Sequence, residues 1–213
     1  MDSIAKYVLL PFVVLGLSGC IDLETHIELN EDQSGRLTVS YAIDTELWEL
    51  GVFDEESSVR AVPVSRKDFD RSARRVEGIE LVSYSRSTGS GSSGDEVTEV
   101  EAVLRFSDLE ALNEVYAPGQ SLISISEDGG ERVYTQKLLP DQMQRVEDEE
   151  LLESYFDGYE VSFEVETPES AVSTNLGELL ERDRGAGVSF ALTELLAAEG
   201  GEDAFEWVIR YGN

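Results

Sequence analysis

Apolar and polar residues alternate along much of this chain. From residue 21 the run IDLETHIELN sets Ile21, Leu23, Thr25, Ile27 and Leu29 on one side and Asp22, Glu24, His26, Glu28 and Asn30 on the other. That is the signature of a strand with one buried face. EDQSG supplies a turn, and RLTVSYAI alternates again with Leu37, Val39, Tyr41 and Ile43 inward, so the pair predicts a β-hairpin. EVTEVEAVLRF puts Val100, Ala102, Leu104 and Phe106 on one side. IELVSYSRS, SLISIS, RVYTQKLL, GYEVSFEVETP, SAVSTN, GVSFALT and FEWVIRY read as further strands, with SEDGGE as the tip of a second hairpin.

Helical spacing interrupts this pattern. RKDFDRSARRV over residues 66–76 places Phe69, Ala73 and Val76 on one face and ends at Gly78. Ser107-Asp108-Leu109-Glu110 fits a capping box with Ser107 as the cap. It opens a helix to Val115 or Tyr116 whose apolar stripe is Leu109, Leu112 and Tyr116. Thr45 to Leu50 reads as a short helix stopped by Gly51, residues 54–65 as a loop broken by Pro63, TGSGSSGD as a flexible linker or hairpin tip, and RVEDEELLESYF as an acidic helix. About eight to ten strands, broken up by three or four helices rather than alternating with them, predict an α+β fold with mainly antiparallel sheet.

The N-terminus departs from both periods. Tyr7 to Leu17, YVLLPFVVLGL, is an uncharged run, shorter than the roughly 20 residues that span a bilayer. It fits the apolar core of a secretory signal following Lys6. Leu17-Ser18-Gly19-Cys20 resembles the lipobox of exported bacterial lipoproteins. That resemblance implies cleavage before Cys20 and diacylglycerol on its sulfur, with the new amino group often acylated as well. The expected organisation is a signal peptide over 1–19 and an extracytoplasmic domain over 20–213, with about 20–116 and 117–213 as its two lobes if it divides. Two or more acyl chains anchor stably, each buried CH₂ contributing about 0.8 kcal/mol. The strand beginning at Ile21 then holds the domain close to the membrane.

Charge and cysteine usage narrow the chemistry. The 213 residues hold 45 acids against 16 bases, a net charge of −29, which lacks the basic footprint that nucleic acid requires. Cys20 is the single cysteine, so neither an internal disulfide nor a cysteine-based zinc site is available. His26 is the single histidine, and it sits on the polar face of the first strand, where a solvated histidine is expected rather than a catalytic one. The nucleophile-elbow pattern is absent. Gly89 to Gly94 matches G-x-G-x-x-G but precedes a strand instead of a helix, which makes it a loop rather than a phosphate cradle. Asn30 to Gly35 imitates the start of a calcium loop, yet Tyr41 stands where a bidentate Glu is required, so a hairpin turn is the better reading, with weak calcium binding as its alternative. Asp148-Glu149-Glu150 is a charge run on a helix face. No catalytic residue, metal site or cofactor is assigned.

One segment stands against the acidic background. Arg66, Lys67, Arg71, Arg74 and Arg75 fall within ten residues. On a helix, Lys67, Arg71, Arg74 and Arg75 gather opposite Phe69, Ala73 and Val76. They read either as a solvated, internally paired face or as a contact for anionic headgroups or an acidic partner.

The stretch CIDLETHIELNEDQSGRLTVSYAID resembles the opening of LppM-like bacterial lipoproteins, and the similarity resumes at VLRFSDLEALNEVY, GYEVSFEVETPESAVSTNLGEL and GVSFALTELL. The resemblance implies an α+β, lipid-binding-like domain on the envelope face of a membrane, without enzymatic activity. Relatives often carry a C-terminal transmembrane helix, which this chain lacks, and no site residues carry over. The expected role is binding an envelope lipid, another amphiphile or a partner protein, from a periplasm-facing or cell-surface position. The alternative is an assembly lipoprotein that docks an envelope complex. For the first role an apolar cleft between sheet and helices would hold acyl chains, with Trp48, Phe69 and Tyr116 as its expected lining.

Overall fold

The computed structural model describes residues 21–45, 65–90, 96–139, 158–198 and 205–212. The signal segment 1–19, Cys20, Trp48, the helix expected beyond Thr45, the loop through residue 64 and the acidic helix within 141–156 lie outside the described residues.

Period-two alternation becomes two sheets. The first has seven strands in the order β3-β4-β2-β1-β7-β10-β9, and the second has four in the order β5-β6-β11-β8. Their ranges are β1 Ile21–Leu29, β2 Gly35–Asp44, β3 Ile79–Ser90, β4 Glu96–Phe106, β5 Ile123–Asp128, β6 Glu131–Lys137, β7 Glu160–Glu166, β8 Ala171–Thr174, β9 Glu178–Leu179, β10 Gly185–Ala191 and β11 Glu206–Tyr211. Every pairing is antiparallel except β1 with β7. Among the described residues three α-helices accompany them, α1 Arg66–Ala73, α2 Leu109–Tyr116 and α3 Leu192–Ala197, with a 3-10 turn at Glu181–Asp183. This is the expected α+β class with mainly antiparallel sheet. The larger sheet draws β1 to β4 from before residue 117 and β7, β9 and β10 from after it.

Both expected hairpins form. Asn30 to Ser34 closes the first, with Ser34 donating from its backbone N and its Oγ to Asp32 Oδ1 at 3.1 and 2.6 Å. These two bonds hold the Asp32 carboxyl below its usual range. Gly129 and Gly130 close the second, both at positive φ (65° and 96°), the backbone a two-residue turn needs to match strand twist.

Local expectations shift at three places. Asp108, not Ser107, caps α2: its Oδ1 accepts from Ala111 N at 2.9 Å, while Ser107 Oγ donates to Asp108 Oδ2 at 2.7 Å and Ser107 N donates to Gly78 O. Thr88, Gly89 and Ser90, expected in a linker, extend β3 against Glu96–Thr98. Residues 192 and 193, expected at the end of a strand, begin α3 instead. In addition α1 has a capping box the sequence reading did not identify, Ser65 with Asp68, and the helix ends at Ala73, leaving Val76 half-buried beyond it.

The inward faces interlock. Trp207, Tyr116, Tyr134, Tyr211, Phe69, Phe106 and Phe163 are the largest fully buried side chains. Tyr134 and Trp207 meet edge to face at 6.4 Å, an arrangement aromatic quadrupoles favour. The Trp207 indole N–H is taken up by Thr174 Oγ1 at 2.9 Å and Leu176 O at 3.1 Å. Asn113 is the buried polar clamp between α2 and β5: its amide donates to Ile123 O at 2.8 Å and Leu109 O at 2.9 Å and accepts from Ile123 N at 2.8 Å.

Candidate functional site

The other face of the seven-stranded sheet is polar, and its chemistry follows from register. Alternation sends Glu24, His26 and Glu28 outward from β1. Cross-strand pairing then sets Glu24 beside Ser40 of β2 and Ser162 of β7, His26 beside Thr38 and Glu164, and Glu28 beside Arg36 and Glu166. The next strand adds Ser189 opposite Ser162 and Gly187 opposite Glu164. Four strands thus lay a floor of carboxylates and hydroxyls.

This floor is concave. A groove of about 850 Å³ runs over β2, β1, β7 and β10. Leu176, Gly177 and Glu178 line one margin, leading into the start of β9, and Phe190 and Glu194 line it where β10 meets α3. The margin hugs β10 closely: at Gly177 (φ 68°) an added Cβ would collide with the Gly187 carbonyl oxygen. Among the described residues lining the groove none is Lys or Arg. A second depression of about 410 Å³ continues toward β3 and β4 on the same face, lined among others by Asp22, Ser85, Ser87, Glu99 and Glu101.

His26 occupies the centre. Its Nδ1 lies 3.1 Å from Glu164 Oε2 and its Nε2 lies 3.7 Å from Glu166 Oε1. The side chain is 27% exposed, so it is not the solvated strand histidine the alternation suggests: β7 arrives beside it and its carboxylates cover the ring. On the floor Ser162 Oγ and Ser189 Oγ share a hydrogen bond of 2.6 Å. Arg36 reaches Glu28 only at 3.9 Å. Among the described residues no group of three or more His, Cys, Asp or Glu side chains is arranged to hold a metal ion, and no helix is long and apolar enough to cross a membrane.

The residues singled out from sequence fall elsewhere. Phe69 and Tyr116 are core: Phe69 is fully buried with its ring 5.8 Å from Tyr84, and burial pushes the Tyr116 hydroxyl far above the usual phenol range. Neither is among the described residues that line the grooves of this structure. Arg66, Lys67, Arg74 and Arg75 are exposed on and just after α1, and Arg71 is half-buried, 3.7 Å from Asp68. The last turn of α1 leads into Ile79, which pairs with Phe106, which pairs with Gly35, which pairs with Leu29. Arg74 and Arg75 therefore lie toward the end of the sheet opposite Ile21, about 26 Å away along a strand of eight steps. A headgroup contact by these two arginines beside an anchor at Cys20 requires β1 to lie along the membrane plane.

Sequence reading missed the groove because its two sides are far apart in the chain. Alternation identified Glu24, His26 and Glu28 as one polar face, but Glu164 is 138 residues from His26, and no local pattern announces a parallel pairing.

No family model matches the chain, and no curated protein matches it. Among solved structures the chain is similar to the folded domain of the LppM protein of Mycobacterium tuberculosis, determined by NMR, at 12% identity over 90% of this chain and 88% of that one, with a TM-score of 0.40.

Proposed function

We propose that the chain is a lipid-anchored bacterial envelope protein without enzymatic activity, whose extracytoplasmic domain docks a partner protein on the open face of its larger sheet. The anchor is acylated Cys20, and the membrane is reached through it. The observation that carries the docking reading is the contrast between the two faces of one sheet. Inward, large aromatic and aliphatic side chains occupy the space between sheets and helices. Outward lies an open groove of about 850 Å³ floored by carboxylates and hydroxyls. An acyl chain needs a continuous apolar lining, and in this groove the apolar positions, Leu176 and Phe190 among them, are interrupted by carboxylates and hydroxyls. The net charge of −29 keeps such a face away from anionic lipid surfaces.

Two measurements test the reading. Labelled palmitate enters the wild-type chain and not Cys20→Ala, whose product keeps residues 1–19; equal labelling of both removes the anchor. Native mass spectrometry of the full chain released from neutral detergent gives the covalently acylated mass alone. One non-covalently held lipid per chain would replace docking with lipid carriage.

A further inference from the structure

We propose that the groove accepts an extended basic segment of a partner protein, with lysine or arginine four residues apart, lying along β1. This rests on the docking reading and names the chemistry of its partner.

Shape comes first. The floor spans β2, β1, β7 and β10, three strand spacings or about 14 Å, and it is open above. Small ligands are held by burial of most of their surface, which an open floor does not provide. A peptide main chain with side chains reaching down needs only such a floor and one margin.

Charge comes next. His26 already engages Glu164 and approaches Glu166. Glu24, Glu178 and Glu194 also line the groove, and among the described residues none of these three forms an ion pair. Among the described residues Glu28 has only the distant Arg36. With no Lys or Arg among the described lining residues, a cation entering from a partner meets carboxylates that outnumber the cations beside them.

Spacing selects an extended segment. Glu24 and Glu28 leave the same face of β1 four residues apart, about 13 Å. An extended partner repeats its same-face side chains every second residue, so its positions j and j+4 fall over the two carboxylates. Position j+2 then lies over His26, which is committed to Glu164, and a small or hydroxylated residue fits there beside Thr38. Leu176 and Phe190 offer apolar ground for the methylene stem of a lysine.

The test uses the full chain in neutral detergent and two fluorescent peptides of equal composition. One carries lysine at every fourth position, separated by serine and threonine; the other carries its lysines contiguously. Anisotropy should show the spaced peptide binding more tightly. Its affinity should fall as salt shortens the Debye length from about 30 Å at 0.01 M to about 8 Å at 0.15 M. Glu24→Gln with Glu28→Gln should weaken it about fivefold, the scale of two exposed ion pairs. Glu127→Gln with Glu181→Gln removes equal charge from exposed positions outside the groove and should change affinity less than about twofold. Equal affinity for both peptides with equal losses in both double variants, or no binding of either peptide, overturns the groove assignment. If the same preparation carries no lipid, the docking reading beneath it survives that failure; if it carries one lipid per chain, both fall.

Discussion

Removing the Asn113 side chain should destabilise the domain far beyond the loss of its few atoms. The amide spans α2 and β5, bonding Ile123 N and Ile123 O at 2.8 Å each, and Ile123 is 1% exposed. Asn113→Ala leaves that N–H and that carbonyl buried without a partner. Each such group costs about 1–3 kcal/mol, so about 3 kcal/mol is the expected loss. That is a large part of a domain stability of about 5–15 kcal/mol and corresponds to a Tm lower by about 6–12 °C. Urea titration should show the midpoint falling with an unchanged slope, since the same surface is exposed on unfolding. Asn113→Asp sharpens the test. Its carboxylate still accepts from Ile123 N but faces the carbonyl oxygens of Ile123 and Leu109, which favour the protonated acid and raise the folded pKa above the unfolded value of about 3.9. Stability contributed by the neutral acid is then complete below the unfolded pKa and lost as pH rises through the folded one. Measured against the parent chain at each pH, the deficit of Asn113→Asp should grow from pH 4 to pH 7. A loss below about 1 kcal/mol for Asn113→Ala, or parity of Asn113→Asp with the parent at pH 7, would refute the clamp.

Other perturbations read other parts of the account. Asp108→Ala should cost about 1 kcal/mol at neutral pH by uncapping α2. Bonds from Ala111 N and Ser107 lower the Asp108 pKa in the folded state, so this contribution is present above the unfolded pKa and fades as pH falls through the folded one; a pH-independent deficit in urea titrations would contradict it. Gly177→Ala meets the Gly187 carbonyl at a φ of 68°. It should cost about 1–3 kcal/mol and loosen the groove margin, weakening the spaced lysine peptide in anisotropy; wild-type affinity would show that the margin takes no part. Ser65→Ala breaks the capping box with Asp68 and should cost about 1 kcal/mol, seen as a lower urea midpoint; no change would remove that cap as a support of α1.

Much of the fold was legible because one face of β1, β2 and β4 is dry. The alternation in IDLETHIEL, RLTVSYAI and EVTEVEAVLRF assigned Leu23, Leu37, Val39, Val100 and Phe106 inward, and all five are buried. Turn chemistry at Gly129-Gly130 was equally plain. Caps were less so: Ser107 and Asp108 are both good N-cap residues, and what decides between them is that Ser107 N is drawn to Gly78 across the sheet end, a tertiary bond. Thr88 to Ser90 look like linker by composition, yet β4 supplies partners for their backbone. The groove was the least legible part. Its floor depends on β1 lying parallel to β7 in the register His26 with Glu164, and hydrophobic periodicity shows which face a strand buries, not which neighbour it takes.

The most direct test of the central claim is an NMR titration of the isotopically labelled chain with the spaced lysine peptide. The account predicts shifts concentrated at Glu24, His26, Glu28, Ser162 and Ser189 on the open sheet face, with Leu112, Val115 and Trp207 in the interior unmoved. Shifts centred on those interior residues, or scattered evenly over the acidic surface, would contradict it.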